Sequence, residues 1–244
     1  MVHYDLAWAT LFKLFSILCW SYLYLWFLVV LPGEDPEWYS RAVTLIHGTV
    51  TTIMGFKQCG ITTLTKSCFA KKITLSQYSL MLFTWGYFAF DLVWCLFYNP
   101  DNYLIFGHHL IALIGSTVYL SKPNSGNIFS CSILLLEFTN PLLQTRWFLK
   151  NSKYKKSPVY YVVEVTYLCL FILARGVFGT YVILRIMPSD IFDTESKLIS
   201  IGLYAISMGL LYEIFGYVIY KYRHRFAGVL DLIDGLGYII NLYR

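Results

Sequence analysis

The chain has 244 residues, of which 57% are hydrophobic and 14% charged, and its formal net charge is +5. An average soluble domain carries roughly a quarter charged residues, so a water-soluble fold of this size is excluded for want of a charged shell. The positive charge lies mainly in short clusters beside apolar runs, at Lys57–Lys72, Arg146–Lys156 and Lys221–Arg225. That placement is membrane-flanking charge; no aromatic-interleaved basic surface of nucleic-acid type is present.

A backbone in lipid is satisfied by helices or by closed barrels. Barrel strands alternate apolar and polar residues. The runs Leu18–Leu31 and Val162–Ala174 are instead apolar at nearly every position. The expected fold is therefore all-α, a polytopic membrane protein of about seven transmembrane helices. The expected spans are 7–31, 42–60, 77–98, 103–120, 127–149, 159–187 and 197–220, each near the ~20 residues a crossing needs. Breakers separate them at Pro32-Gly33, Asn99-Pro100, Pro123-Asn124 and Pro188-Ser189. The first run has no basic residue before Lys13 and is expected to be retained as a span. The stretch 226–244, with Val229, Leu232, Ile233 and Leu236, is expected to form a short tail that lies along the membrane surface.

Six cysteines, Cys19, Cys59, Cys68, Cys95, Cys131 and Cys169, form no Cys-x-x-Cys pair. They are expected to be small apolar residues, and no metal site is expected. With a lumenal N-terminus, ten basic residues fall on the cytoplasmic side and seven on the other. The count favours a cytoplasmic C-terminus.

An ionisable group at bilayer depth costs on the order of 2.5–3.5 kcal/mol on insertion scales. The spans nevertheless contain His47, Asp91, His108, His109, Glu137, Glu164, Arg175 and Glu213. Thr44, His47 and Thr51 share one face of the second span. Glu137, Asn140 and Gln144 form a stripe on the fifth, where Pro141 is expected to kink the helix or free a carbonyl. Adjacent residues on a helix are about 100° apart, so one of His108 and His109 is expected to face the interior and the other a neighbouring helix. Four consecutive spans thus offer polar faces to one cavity. Glu164, Arg175 and Glu213 are expected outside it, with Arg175 paired to either glutamate.

Imidazole is the natural general base near neutral pH and an acyl-accepting nucleophile. A carboxylate on its second nitrogen orients it. His108 or His109 with Asp91 or Glu137 has that composition.

The runs Thr44-Leu45-Ile46-His47-Gly48 and Gly86-Tyr87-Phe88-Ala89-Phe90-Asp91-Leu92, the pair His108-His109, and Glu137-Phe138-Thr139-Asn140-Pro141 through Trp147 resemble, in order and spacing, the TLC domain family. The resemblance covers residues 35–225. It leaves an N-terminal helix and loop at 1–34 and the tail at 226–244. It implies six core helices in a barrel around a lipid-accessible cavity, in the endoplasmic reticulum or another endomembrane. Its best-defined enzymes are ceramide synthases, whose motif opens with a His-His pair. That motif continues with a His-Asp pair and a further Asp, where this chain has Leu136-Glu137 and Asn140. The departure weighs against ceramide synthesis itself. Other members are tied to membrane phospholipid composition or protein trafficking.

Residues and resemblance together give a reading in lipid metabolism, with acyl-CoA-dependent acyl transfer as the candidate reaction. His108 or His109 is the expected base or nucleophile, Asp91 or Glu137 its orienter, and His47 a proton-transfer or head-group residue. Asn140, Gln144, Arg146 and Thr51 are the expected substrate-binding set, Arg146 with Lys150–Lys156 drawing anionic phosphates. Membrane lipids and acyl-CoA are the expected partners, with no tightly bound cofactor and no nucleic acid. The alternative is a non-catalytic lipid sensor, carrier or trafficking receptor.

Overall fold

The computed structural model describes residues 6–59, 71–155 and 157–242, and the side chains of those up to Tyr222 except the first two. The described residues are helical, with no strand among them. The elements are α1 (Leu6–Val30), α2 (Pro36–Gln58), α3 (Leu75–Tyr98), α4 (Tyr103–Leu120), α5 (Gly126–Glu137), α6 (Asn140–Lys150), α7 (Pro158–Phe171), a π-helical segment (Ile172–Phe178), α8 (Gly179–Ile186) and α9 (Thr194–Leu242). Five of the resulting helical stretches are long and apolar enough to cross a membrane by length and composition. The chain is an all-helical polytopic membrane protein.

Local chemistry sets the helix starts. Pro36 opens α2, with Glu37 in the first turn and Lys57 in the last, each matched to the helix dipole. The start is six residues earlier than hydropathy alone suggests, because Glu37 and Arg41 are helical although polar. Thr74 and Gln77 form a reciprocal capping box on α3. Ser157 accepts from the Tyr160 amide ahead of Pro158 to start α7.

Two expected continuous spans are interrupted. The fifth divides into α5 and α6 at Phe138-Thr139. Pro141 has no N–H for the Glu137 carbonyl, so the regular ladder cannot run through. The sixth contains the π-helical segment between α7 and α8. The backbone of α9 continues to Leu242. The side chains of the expected surface-lying tail at 226–244 lie outside the described residues, as do Lys66, Cys68 and Lys156.

Packing centres on α2, α3, α4 and α5. Val43, Met81, Tyr87, Phe88 and Ile133 form the inner cluster there. Helix α1 lies across α3, where Trp20 donates to the Phe83 carbonyl at 2.9 Å. Gly86 permits that crossing, because a Cβ there would sit 2.1 Å from the Ser16 hydroxyl oxygen. The outer face of α1 carries exposed Leu11, Phe15, Leu18 and Tyr22, which suits lipid and not water.

The helix ends sort onto two faces. The α1–α2, α3–α4 and α6–α7 connections lie on one face, and the α4–α5 and α8–α9 connections on the other. On this second face Cys59, just past α2, is disulfide-bonded to Cys131 of α5. This corrects the expectation of unpaired cysteines. The bond joins residues 72 apart in sequence, so no local spacing announces it. Cys19 and Cys169 are exposed and Cys95 is buried, all free.

Candidate functional site

Helix α2 brings Ser40, Arg41 and Thr44 to a cavity of about 590 Å³. Helix α3 adds Tyr87, Asp91 and Cys95, one helical turn apart on one face. Helix α4 adds His108 and His109 from its second turn. Glu137, Asn140 and Gln144 enter from the α5–α6 break, and Arg175 from the π-helical segment. The cavity is also bordered by Asp35, Tyr98 and Asn102, which mark its end near the α1–α2 and α3–α4 connections.

Asp91 and His109 form the closest contact of opposite chemistry in it. The His109 Nε2 atom lies 2.8 Å from Asp91 Oδ2, and both side chains are buried. Ser40 donates to Asp91 Oδ1 at 3.4 Å. The Cys95 thiol approaches Oδ2 at 3.9 Å. Asp91, Cys95 and His109 also place one ligand atom each within 4.8 Å of the others, so their composition would admit a metal ion. The 2.8 Å separation of His109 Nε2 from Asp91 Oδ2 is that of a hydrogen bond. The His109 Nδ1 atom is enclosed and has no hydrogen-bond partner among the described residues.

Both histidines border the cavity, which corrects the expectation that one of them faces a neighbouring helix. Their rings are 5.3 Å apart and inclined at 72°, so they reach the same space from different directions. His108 Nδ1 has no hydrogen-bond partner among the described residues.

A chain of polar contacts runs from Glu137 to the bundle end. Asn140 donates to Glu137 Oε2 at 2.8 Å, and Gln144 donates to Asn140 Oδ1 at 2.8 Å. Arg41 donates to Gln144 Oε1 at 3.0 Å and to Glu37 Oε1 at 2.8 Å. Each amide has its oxygen and nitrogen roles fixed by the next group. The chain thereby connects the buried Glu137 to the exposed Glu37 at the bundle end. The Arg41 guanidinium stands 4.8 Å over the Trp147 ring, which further fixes it.

The remaining expected residues lie elsewhere. His47 is fully buried behind Tyr87, with the two rings stacked at 3.7 Å. Its Nδ1 is 3.8 Å from Glu137 Oε2, beyond hydrogen-bond reach. Thr51 turns its hydroxyl back to the His47 carbonyl at 2.8 Å and does not border the cavity. Arg146 is engaged by Glu164, its Nε 2.9 Å from Oε1. Glu164 also pairs with Lys221 and accepts from Tyr160, Tyr217 and Tyr222. Arg146 is thus a member of a closed structural cluster joining α6, α7 and α9. Arg175, expected with a glutamate outside the site, instead borders the cavity and donates to Ser207 and to the Leu136 carbonyl. Glu213 is on the exposed face of α9.

Sequence reasoning missed Ser40, Arg41, Tyr87 and Arg175 as cavity residues. Tyr87 sits four residues before Asp91, so helical periodicity was a sufficient signal for it. Arg175 had no local signal, since its position depends on the π-helical segment.

The TLC domain pattern matches residues 37–221. The chain belongs to the TLC domain family. The match takes in every cavity residue named above except Asp35. Among curated relatives, the TLC domain-containing protein At5g14285 of Arabidopsis thaliana is 24% identical over 175 residues, 68% of each chain. TLC domain-containing protein 4 A of Dictyostelium discoideum is 26% identical over 168 residues, 66% of this chain and 63% of its own. This chain therefore spans about two thirds of the length of the relatives it matches. No solved structure matches it. TLC domain proteins are generally membrane proteins tied to lipid metabolism or sensing.

Proposed function

We propose that this TLC domain protein transfers an acyl group from acyl-CoA to a membrane lipid, with the cavity as its active site. The motif order also resembles the TLC domain-containing protein 5 subgroup, also called transmembrane protein 136. The endoplasmic reticulum or a related endomembrane is the proposed location. The observation that carries the proposal is the buried contact of His109 Nε2 with Asp91 Oδ2 at 2.8 Å on the cavity wall. A carboxylate that accepts a hydrogen bond from one imidazole N–H fixes the ring and raises the basicity of the other nitrogen. In the acyl step, imidazole removes a proton from the acceptor hydroxyl or amine as that atom attacks the thioester carbon. The coenzyme A thiolate leaves and takes up the proton. His108, beside it and without a partner on Nδ1, is the second candidate for the same duty. The amide chain of Asn140 and Gln144 offers fixed polar groups for the acceptor.

One observation favours a lipid carrier or sensor instead. With Nε2 engaged by Asp91, the free nitrogen of His109 is Nδ1, and that atom is enclosed. A carrier needs no access to it, whereas an enzyme needs a ring movement that opens it. The deciding experiment is an acyl-transfer assay on purified protein with a panel of acyl-CoAs and acceptor lipids. Release of free coenzyme A with formation of an acylated lipid establishes the enzyme. Folded protein that co-purifies with a defined lipid and transfers nothing establishes the carrier.

A further inference from the structure

Arg175 is buried to 5% exposure in the middle of a membrane-spanning stretch. A cation there is costly unless something compensates it. Its partners are neutral. Nη1 donates to the Ser207 hydroxyl at 3.0 Å, and Nη2 donates to the Leu136 carbonyl, near the α5–α6 break. Among the described residues Nε has no hydrogen-bond partner, and the guanidinium forms no ion pair with a carboxylate. Glu137 borders the same cavity but spends Oε2 on Asn140. The guanidinium packs 5.6 Å from the Phe171 ring centre, which holds its plane without neutralising it.

The backbone is shaped around this side chain. Arg175 lies in the π-helical segment Ile172–Phe178, whose wider turn moves the residue away from the register of α7. Such segments concentrate at functional sites. Ser207 and Leu136 hold the guanidinium from two different helices, at a wall of the cavity shared with His108.

We propose that Arg175 is the anion-binding residue of this cavity and holds an oxyanion of the lipid ligand, a phosphodiester or a carboxylate. The proposal rests on the reading of the cavity as a lipid site, catalytic or not. A guanidinium is suited to the task because it stays charged and presents several donors in a fixed plane. The ligand supplies the direct anionic partner that no carboxylate among the described residues gives the guanidinium, Glu137 acting on it only across the cavity. Glu137, near but not bonded to Arg175, keeps an opposite charge in the same cavity and so disfavours a ligand carrying two negative groups side by side.

The test is binding to full-length purified protein in neutral detergent, read by thermal shift and by equilibrium binding. Four probes are used: dihexanoylphosphatidylcholine, laurate, dioctanoylglycerol and inorganic phosphate. The proposal expects binding of the phosphodiester lipid or of laurate, at least about tenfold tighter than of dioctanoylglycerol, which has no anionic group. Binding of the first alone identifies a head-group phosphate, and binding of laurate alone a fatty-acid carboxylate. Inorganic phosphate should bind more weakly than the lipid probe it mimics. Arg175→Gln should remove the preference, and Arg175→Lys should restore part of it. Should Arg175→Gln fail to fold, the wild-type comparison of dioctanoylglycerol with the anionic probes decides alone. Equal affinity for the neutral and anionic lipids overturns the oxyanion assignment and leaves the lipid cavity standing. The same holds for a preference unchanged in Arg175→Gln. No binding of any lipid overturns both.

Discussion

Asp91 meets His109 across the α3–α4 interface, Oδ2 to Nε2 at 2.8 Å, and accepts Ser40 of α2 on its other oxygen. One carboxylate therefore ties three helices together inside the bundle. Asp91→Asn keeps the shape and removes the charge, so a charge-assisted bond becomes an ordinary one or is lost. The expected loss of stability is about 1–3 kcal/mol, the cost of leaving a buried partner poorly satisfied. His109→Ala should cost a similar amount. The double variant should lose clearly less than the sum of the two, because each single change already breaks the same contact. Thermal unfolding of the three variants in detergent checks this. Strict additivity would mean that the contact contributes nothing to the fold.

The disulfide carries a prediction of orientation. Cys59–Cys131 lies on the face opposite Tyr98 and Asn102, and disulfides persist in oxidising compartments. The expected orientation then turns the cavity end and the C-terminal side of α9 to the cytosol, the side from which the proposed acyl-CoA would enter. The count of ten basic residues against seven points the same way. A tag after Arg244 should be accessible when only the plasma membrane is permeabilised. A cysteine replacing Asn102 should react with a cytosolic thiol reagent, and one replacing Lys122 should not. The reverse pattern would invert the orientation. Cys59→Ser should also lower stability, by an amount near the ~4 kcal/mol that loop entropy assigns to a separation of 72 residues.

Much of this arrangement was legible in the sequence. Apolar runs and their breakers gave the helices, because lipid demands both. Helical spacing gave the stripe of Glu137, Asn140 and Gln144, whereas residue chemistry alone left the partner of the histidine pair open between Asp91 and Glu137, and only the fold brings Asp91 to His109. What stayed hidden depends on backbone irregularity and on tertiary distance. Arg175 reaches the cavity through a π-helical segment, which leaves no period in the residues around it. Cys59 and Cys131 meet only after α2 and α5 pack. Arg146 reads with Lys150–Lys156 as a basic cluster for anionic phosphates. In the fold it pairs instead with Glu164 of α7, which is fully buried and draws in two cations.

At the face that bears the disulfide, Asp193 caps α9 by accepting the Ser196 amide at 3.1 Å and pairs with Lys122. The Lys122 ammonium and the Ser196 hydroxyl hold its carboxyl at about 2. Its folded value is depressed, so its contribution is fully present above the ordinary aspartate value of about 3.9. It is lost as pH falls through about 2. Asp193 is 51% exposed, so water and salt screen the pair and its worth is below about 1 kcal/mol. Asp193→Asn should therefore melt slightly below wild type near neutral pH. The gap should shrink as the pH falls from about 4 to about 2. A gap that persists unchanged to the acid end would assign the effect to packing and not to charge.

The histidines carry the chemical prediction. If imidazole is the base, His109→Ala should lower acyl transfer by roughly 10² to 10⁴, the usual worth of a positioned base. Asp91→Asn should lower it less, since the ring remains but loses its orientation. His108→Ala separates two mechanisms on this site. A loss as deep as that of His109→Ala means that both rings act in the acyl step. A modest loss in apparent affinity with turnover retained makes His108 a binding residue beside Arg175. His47→Ala should chiefly lower stability, because His47 is packed behind Tyr87 and has no access to the cavity. Each variant is compared with wild type for melting temperature as well as for rate, so that an unfolded protein is not scored as an inactive one. Folded His108→Ala and His109→Ala proteins that both keep full turnover would remove imidazole from the chemistry.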